Sequence, residues 1–156
     1  MLYTDDSILA GPVKAEIDQI IADMKGVNLE VTFDGDISDF LGVKITKLPD
    51  STIELTQPHL IESILRDLRL DIGQATPKDT PASVTKTFRG YPDSDAFDRH
   101  FDYRSVVGKL NQLEKTIRPD ISYSVHQRAR YCSDTRQEHG EAVKWLGRYL
   151  LATSDK

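Results

Sequence analysis

The balance of hydrophobic periodicity shifts along this chain near Pro58. Ahead of it, apolar residues mostly alternate with polar ones, the pattern of half-buried strands; beyond it they recur every three or four positions, the pattern of helix faces. Strands gathered in residues 1–57 and helices gathered in 58–156 make the predicted fold α+β.

The front begins with two short apolar runs, Leu2-Tyr3-Thr4 and Ser7-Ile8-Leu9, bent around Asp5-Asp6 and closed by Gly11-Pro12. This reads as a tight β-hairpin with both carboxylates at its apex. Ile17, Ile20, Ile21 and Met24 then share one helix face, with Pro12 to start the helix and Gly26 to end it. Alternation returns in Leu29, Val31 and Phe33, in Leu41, Val43 and Ile45, and in Ile53 and Leu55, with turns at Asp34-Gly35-Asp36 and Pro49-Asp50-Ser51.

Pro58 suits the first turn of a helix whose stripe is Ile61, Ile64, Leu65 and Leu68, ended by Gly73 at the latest. Residues 71–100 are polar, aperiodic and interrupted by Pro77, Pro81 and Pro92, which predicts a long, exposed and flexible connection. Three amphipathic helices follow: one with Val106, Leu110, Leu113 and Ile117, one opened by Pro119 with Ile121 and Val125, and one with Ala142, Leu146, Tyr149 and Leu150.

Charge qualifies what such a chain can bind. The net charge of −5 argues against a phosphate-rich partner, but it is unevenly spread. Residues 1–100 hold 10 Lys/Arg against 18 Asp/Glu, whereas residues 101–150 hold 9 against 6, so a phosphate-facing surface is expected in the second half. The single Cys132 offers neither an internal disulfide nor a zinc framework and is expected to be an inert core thiol. No secretory signal or membrane-spanning run is visible, which predicts a soluble, intracellular, cytoplasmic protein.

Asp5-Asp6 is the feature that most needs a chemical explanation, because adjacent carboxylates repel and neither favours a strand. A divalent cation such as Mg²⁺, which takes carboxylate oxygens and keeps other positions for water and phosphate, would offset that repulsion. A solvated acidic turn is the plainer alternative. His139 stands without a partner at metal-ligand spacing, which favours a capping or surface role. Pro119-Asp120 reads as a helix start, and Trp145 as core.

The segment Leu2-Tyr3-Thr4-Asp5-Asp6-Ser7-Ile8-Leu9 resembles the Tyr-x-Asp-Asp catalytic hairpin of reverse transcriptases. Further blocks resemble the copia-type retrotransposon pattern in order. They are Phe40-Leu41-Gly42-Val43-Lys44-Ile45, Leu55-Thr56-Gln57, Thr80-Pro81, Tyr103 to Leu110, Arg118 to Val125, and His139 with Ala142, Lys144 and Arg148-Tyr149-Leu150. The resemblance implies the rear of a polymerase palm in residues 1–57 and thumb and connection helices in 58–156. Its chemistry would be template-directed nucleotidyl transfer by two magnesium ions, with RNA/DNA template-primer and deoxynucleotides as partners.

Carried over residue by residue, the resemblance makes Asp5 the principal catalytic metal ligand and Asp6 its weaker companion. Tyr3 and Thr4 would lie near the primer terminus, and Phe40, Leu41 and Gly42 would begin a primer-gripping hairpin. Gly42 has the plainer reading of a bulge or sheet contact. Arg128, Arg130 and Arg148 are the basic residues expected to face phosphates, alongside Arg104, Lys109, Arg118 and Lys144.

A further palm Asp and the fingers would precede Met1, and a ribonuclease H domain would follow. The expectation is therefore a fragment or decayed copy, inactive in isolation, with virus-like particles as the implied setting. The competing expectation is a non-catalytic remnant that binds nucleic acid or another protein.

Overall fold

The computed structural model describes residues 2–3, 6–27, 29–32, 37–70, 75–83 and 88–154. They form two compact units, Met1–Ile37 and Ser38–Lys156. The second hairpin therefore belongs with the helices, and the compact boundary lies ahead of the change in periodicity at residue 57.

In the first unit, β1 (Leu2–Tyr3) pairs antiparallel with β2 (Asp6–Ser7), and helix α1 (Lys14–Gly26) follows. The apolar stripe of α1 forms as expected, but no residue of the helix is buried. Residues 29–32, expected to be a strand, carry no ladder; alternation makes an extended segment possible, yet a strand also needs a neighbour for its backbone groups, and none is present among the described residues. Phe33 and the expected turn at 34–36 lie outside the described residues, as does Gly73.

The second unit opens with a three-stranded antiparallel sheet, β3 (Asp39–Phe40), β4 (Val43–Lys47) and β5 (Ile53–Thr56), in that order. Leu41, expected within an alternating strand, instead occupies a two-residue turn with Gly42, both at positive φ (52° and 76°). Right-handed strand twist favours this turn geometry, and Gly42 takes it without cost whereas Leu41 does not. At the other end, Pro49 suits the turn, Ser51 adopts φ 69°, and the Asp50 carboxylate accepts the Thr52 N–H at 2.9 Å.

Pairing of Phe40 with Val43, Ile45 with Leu55 and Lys47 with Ile53 puts these side chains on one face. That face is thinly covered: Ile53 is 62% and Leu55 48% exposed.

The core lies in the helices α2 (Pro58–Asp67), α3 (Tyr103–Thr116), α4 (Ser122–Ala129) and α5 (Gln137–Ala152). Ile64, Val106, Leu110, Leu113, Ile121, Val125, Val143, Leu146 and Leu150 are fully buried there, each contributing about 1.5–3 kcal/mol by leaving water. Pro119 opens a single 3-10 turn, Pro119–Ile121, that runs into α4. Asp102 caps α3 by accepting the Ser105 N–H at 3.0 Å.

Helix α2 ends in a Schellman pattern. The Leu70 N–H reaches the Leu65 carbonyl at 2.9 Å, and the Arg69 N–H reaches that of Arg66 at 3.0 Å. The position that favours glycine is taken by Arg69 at φ 57°, which costs about 1–2 kcal/mol. Leu68 and Leu70 on either side are buried against α5 where Gly147 leaves room; a Cβ there would come within 2.6 Å of Leu68 and 2.7 Å of Leu70.

The expected flexible connection is instead fastened down over its described residues. The Phe97 N–H donates to the Thr135 carbonyl at 3.3 Å and the Gln137 N–H to that of Asp95 at 3.1 Å. Lys78 donates through its backbone to the Arg148 carbonyl at 3.3 Å. Trp145, expected in the core, is only half-buried; its Nε1–H donates to the Thr80 carbonyl at 2.9 Å and Lys78 lies over its ring. Among the described residues no helix is long and apolar enough to cross a membrane.

Candidate functional site

Tyr3 faces Asp6 across the first hairpin and Leu2 faces Ser7, so the link between β1 and β2 is two residues long. Asp6 therefore begins β2 and is not at the apex, as had been expected. Thr4 and Asp5 lie outside the described residues, and of Tyr3 and Asp6 only the backbone is described. Among the described residues no group of three or more His, Cys, Asp or Glu side chains is placed to hold a metal ion. Carboxylate oxygens suit Mg²⁺, but a fixed site needs more of them than this pair supplies.

Phe40, Leu41 and Gly42 form the tip of the second hairpin. Leu41 is exposed, Phe40 half-buried, and a Cβ on Gly42 would meet nothing within 4 Å. Positive φ accounts for the glycine, which forms a two-residue turn with Leu41 and not the bulge or sheet contact of its plainer reading.

The three basic candidates part company. Arg128 is 3% exposed, and its donors are spent on backbone carbonyls: Nη1 to Ser124 at 2.6 Å, and Nε and Nη2 to Ala142 at 3.0 and 2.9 Å. The ring of Phe88 covers it. A guanidinium so enclosed does not reach a phosphate, which corrects its expected role. Arg118 is likewise internal, donating twice to Asp120 at 2.9 Å and to the carbonyl and hydroxyl of Thr153. This fork holds the Asp120 carboxyl below the usual carboxylate range. Arg130 is exposed, with Nη1 donating to Gln127 at 3.1 Å, and Arg148 is half-buried on α5.

His139 is fully buried and caps α5. Its Nδ1 accepts the Arg136 N–H at 3.0 Å, and Nε2 donates to the Arg89 carbonyl at 2.8 Å, which fixes the Nε2–H tautomer. Tyr131 stacks on the ring, and burial lowers the imidazole pKa. Cys132 is half-buried and free, its thiol pushed up by burial.

A cleft of about 660 Å³ lies above Arg128, walled by Phe88, Tyr91 and Trp145 and edged by Asp93, Asp95 and Glu141. Sequence reasoning missed it because its walls come from the irregular connection and from two helices. Its acidic edge is unsuited to phosphate.

Comparison with known proteins gives the chain its relatives. It is 32% identical over 99% of its length to the retrovirus-related Pol polyprotein from transposon TNT 1-94 of Nicotiana tabacum. It is 28% identical over 98% of its length to that from transposon RE1 of Arabidopsis thaliana. A putative transposon Ty5-1 protein of Saccharomyces cerevisiae is 28% identical over 97% of the chain. The chain spans 12%, 10% and 48% of these relatives respectively. No known family profile and no solved structure matches it. Its relatives are thus retrotransposon Pol polyproteins.

Proposed function

We propose that this chain is the stretch of a copia-type reverse transcriptase that starts at the catalytic Tyr-x-Asp-Asp turn and runs through the rear palm into thumb and connection helices. The observation that carries the reading is the pairing of Tyr3 with Asp6. It folds the motif into a two-residue-linked hairpin, in a chain whose relatives along nearly its whole length are retrotransposon Pol polyproteins.

In this reading Asp5 and Asp6 contribute carboxylates to the magnesium site, and Tyr3 and Thr4 adjoin the primer terminus. Magnesium supplies Lewis-acid stabilisation of the reacting phosphates when bound. The described residues add no third carboxylate to this pair. The tip Phe40-Leu41-Gly42 offers an exposed leucine and an open backbone to the primer, and Arg130 offers a free-standing charge to the duplex. The partners are template-primer and deoxynucleotides, the upstream palm and fingers, and a downstream ribonuclease H domain, in the cytoplasm.

Fluorescence anisotropy with a primed RNA template tests the binding half of this reading. Affinity should fall as salt rises, since phosphate contacts release counterions. Arg130→Ala should flatten that slope slightly, while Leu41→Asp at the hairpin tip should weaken binding at every salt concentration. Absence of duplex binding even at low salt would remove the proposal.

A further inference from the structure

Adjoining the aromatic cleft along α5, and sharing Gln137 and Arg148 with it, lies a second cavity, of about 500 Å³, whose walls include Arg69, His100, Lys144, Arg148 and Asp98. Three fixed positive charges therefore meet one carboxylate, and that carboxylate is committed. Asp98 accepts both the backbone N–H and Nδ1 of His100, and this pairing holds its carboxyl low. Lys144 makes a loose contact to Glu141, at 4.0 Å.

Two nitrogens of this cavity, Arg148 Nε and His100 Nε2, are buried and have no hydrogen-bond partner among the described residues. Buried polar atoms are almost always satisfied, so each one left open calls for an explanation, and a bound group is one. Because Nδ1 is turned to Asp98, Nε2 is the ring nitrogen of His100 left to meet a ligand.

Backbone conformation points the same way. Arg69 holds the left-handed position of a Schellman motif, where glycine would be unstrained, and buried Leu68 and Leu70 on either side lock it there. Strain retained at a position that carries a charge into a cavity calls for a reason. We propose that this cavity binds a phosphate group, gripped by Arg69, Lys144, Arg148 and His100. A tetrahedral anion with several oxygens matches convergent donors from different elements, and the cavity is large enough to hold that phosphate on a nucleotide or a nucleic-acid backbone. The inference stands on these groups and does not depend on the polymerase reading.

The test is thermal unfolding of the whole chain titrated with inorganic phosphate. A saturable rise in Tm is expected for the unaltered protein. Arg148→Gln and Arg69→Gly should each weaken phosphate binding about tenfold, the loss of one charge-assisted contact. Arg69→Gly should also raise Tm in the absence of phosphate, because glycine adopts φ 57° freely. A purely structural arginine would not combine higher stability with weaker binding.

Competition identifies the source. Displacement of phosphate by adenosine monophosphate supports a nucleotide, and displacement by a short oligonucleotide alone supports a backbone phosphate. Displacement by neither, or a phosphate response unchanged in both variants, would overturn the proposal.

Discussion

Arginine on a helix is ordinarily a solvated charge, so position 128 could not be told from position 130 by residue type and spacing. Their surroundings differ completely: the Arg128 guanidinium ties the carbonyls of Ser124 and Ala142 together, whereas Arg130 stands in solvent. Truncating the first removes these buried charge-assisted hydrogen bonds, worth about 1.5–3 kcal/mol each, and leaves a cavity between α4 and α5. Arg128→Ala should therefore cost roughly 2–5 kcal/mol in urea unfolding, and Arg130→Ala should stay within about 0.5 kcal/mol. Comparable small losses at both sites would show that the buried fork is not formed. His139 carries a pH signature. Burial lowers its pKa in the folded chain, so between that value and its ordinary value the unfolded chain binds the extra proton. Its contribution is complete above about pH 6.5 and is lost as pH falls through the folded value. Unfolding midpoints measured across that range should show an acid-side loss that His139→Gln diminishes.

At the scale of elements, the helix stripes were legible because an amphipathic helix records its buried face within a few turns of its own sequence. Ile61, Ile64, Leu65, Val106, Leu110, Leu113 and Val125 all lie where the 3.6-residue period puts them. The turn Leu41-Gly42 was not, because an apolar residue continuing an alternating run looks like strand until its backbone is seen. The anchors of the connection after α2 were not legible for a related reason. They are the Thr135 and Arg148 carbonyls, the His139 ring and the Trp145 indole, which are distant in sequence and leave no local period. The fastening of the connection has a measurable consequence: the Phe97 and Gln137 amides should exchange with solvent far more slowly than the Ser94 amide of the neighbouring turn. Equal, fast exchange at all three would mean a loose loop after all. Gly140 reports on the same junction. A Cβ there would lie 2.4 Å from the Phe97 ring, so Gly140→Ala should destabilise the chain by about 1–3 kcal/mol in urea unfolding.

For the molecule as a whole, the buried core and the proposed catalytic motif belong to different parts. The helices of the second unit own the core, while the Tyr-x-Asp-Asp hairpin belongs to a first unit whose helix α1 has no buried residue. The α+β class was legible from where the hydrophobic period changes, since that property survives even when individual strands fail to form. The candidate site was legible only as a motif, because Asp5 and Asp6 acquire chemical meaning from partners that the period of the chain does not encode. We propose that this hairpin serves template-directed nucleotidyl transfer. Its most direct test is primer extension on an RNA template by a chimera in which these 156 residues replace the matched segment of the tobacco polyprotein, with the parent polyprotein as reference. Magnesium-dependent incorporation by the chimera, lost by at least about 100-fold in Asp5→Asn without loss of folding, is the expected result. Incorporation that persists in Asp5→Asn, or a folded chimera that fails to extend where its parent does, would contradict it.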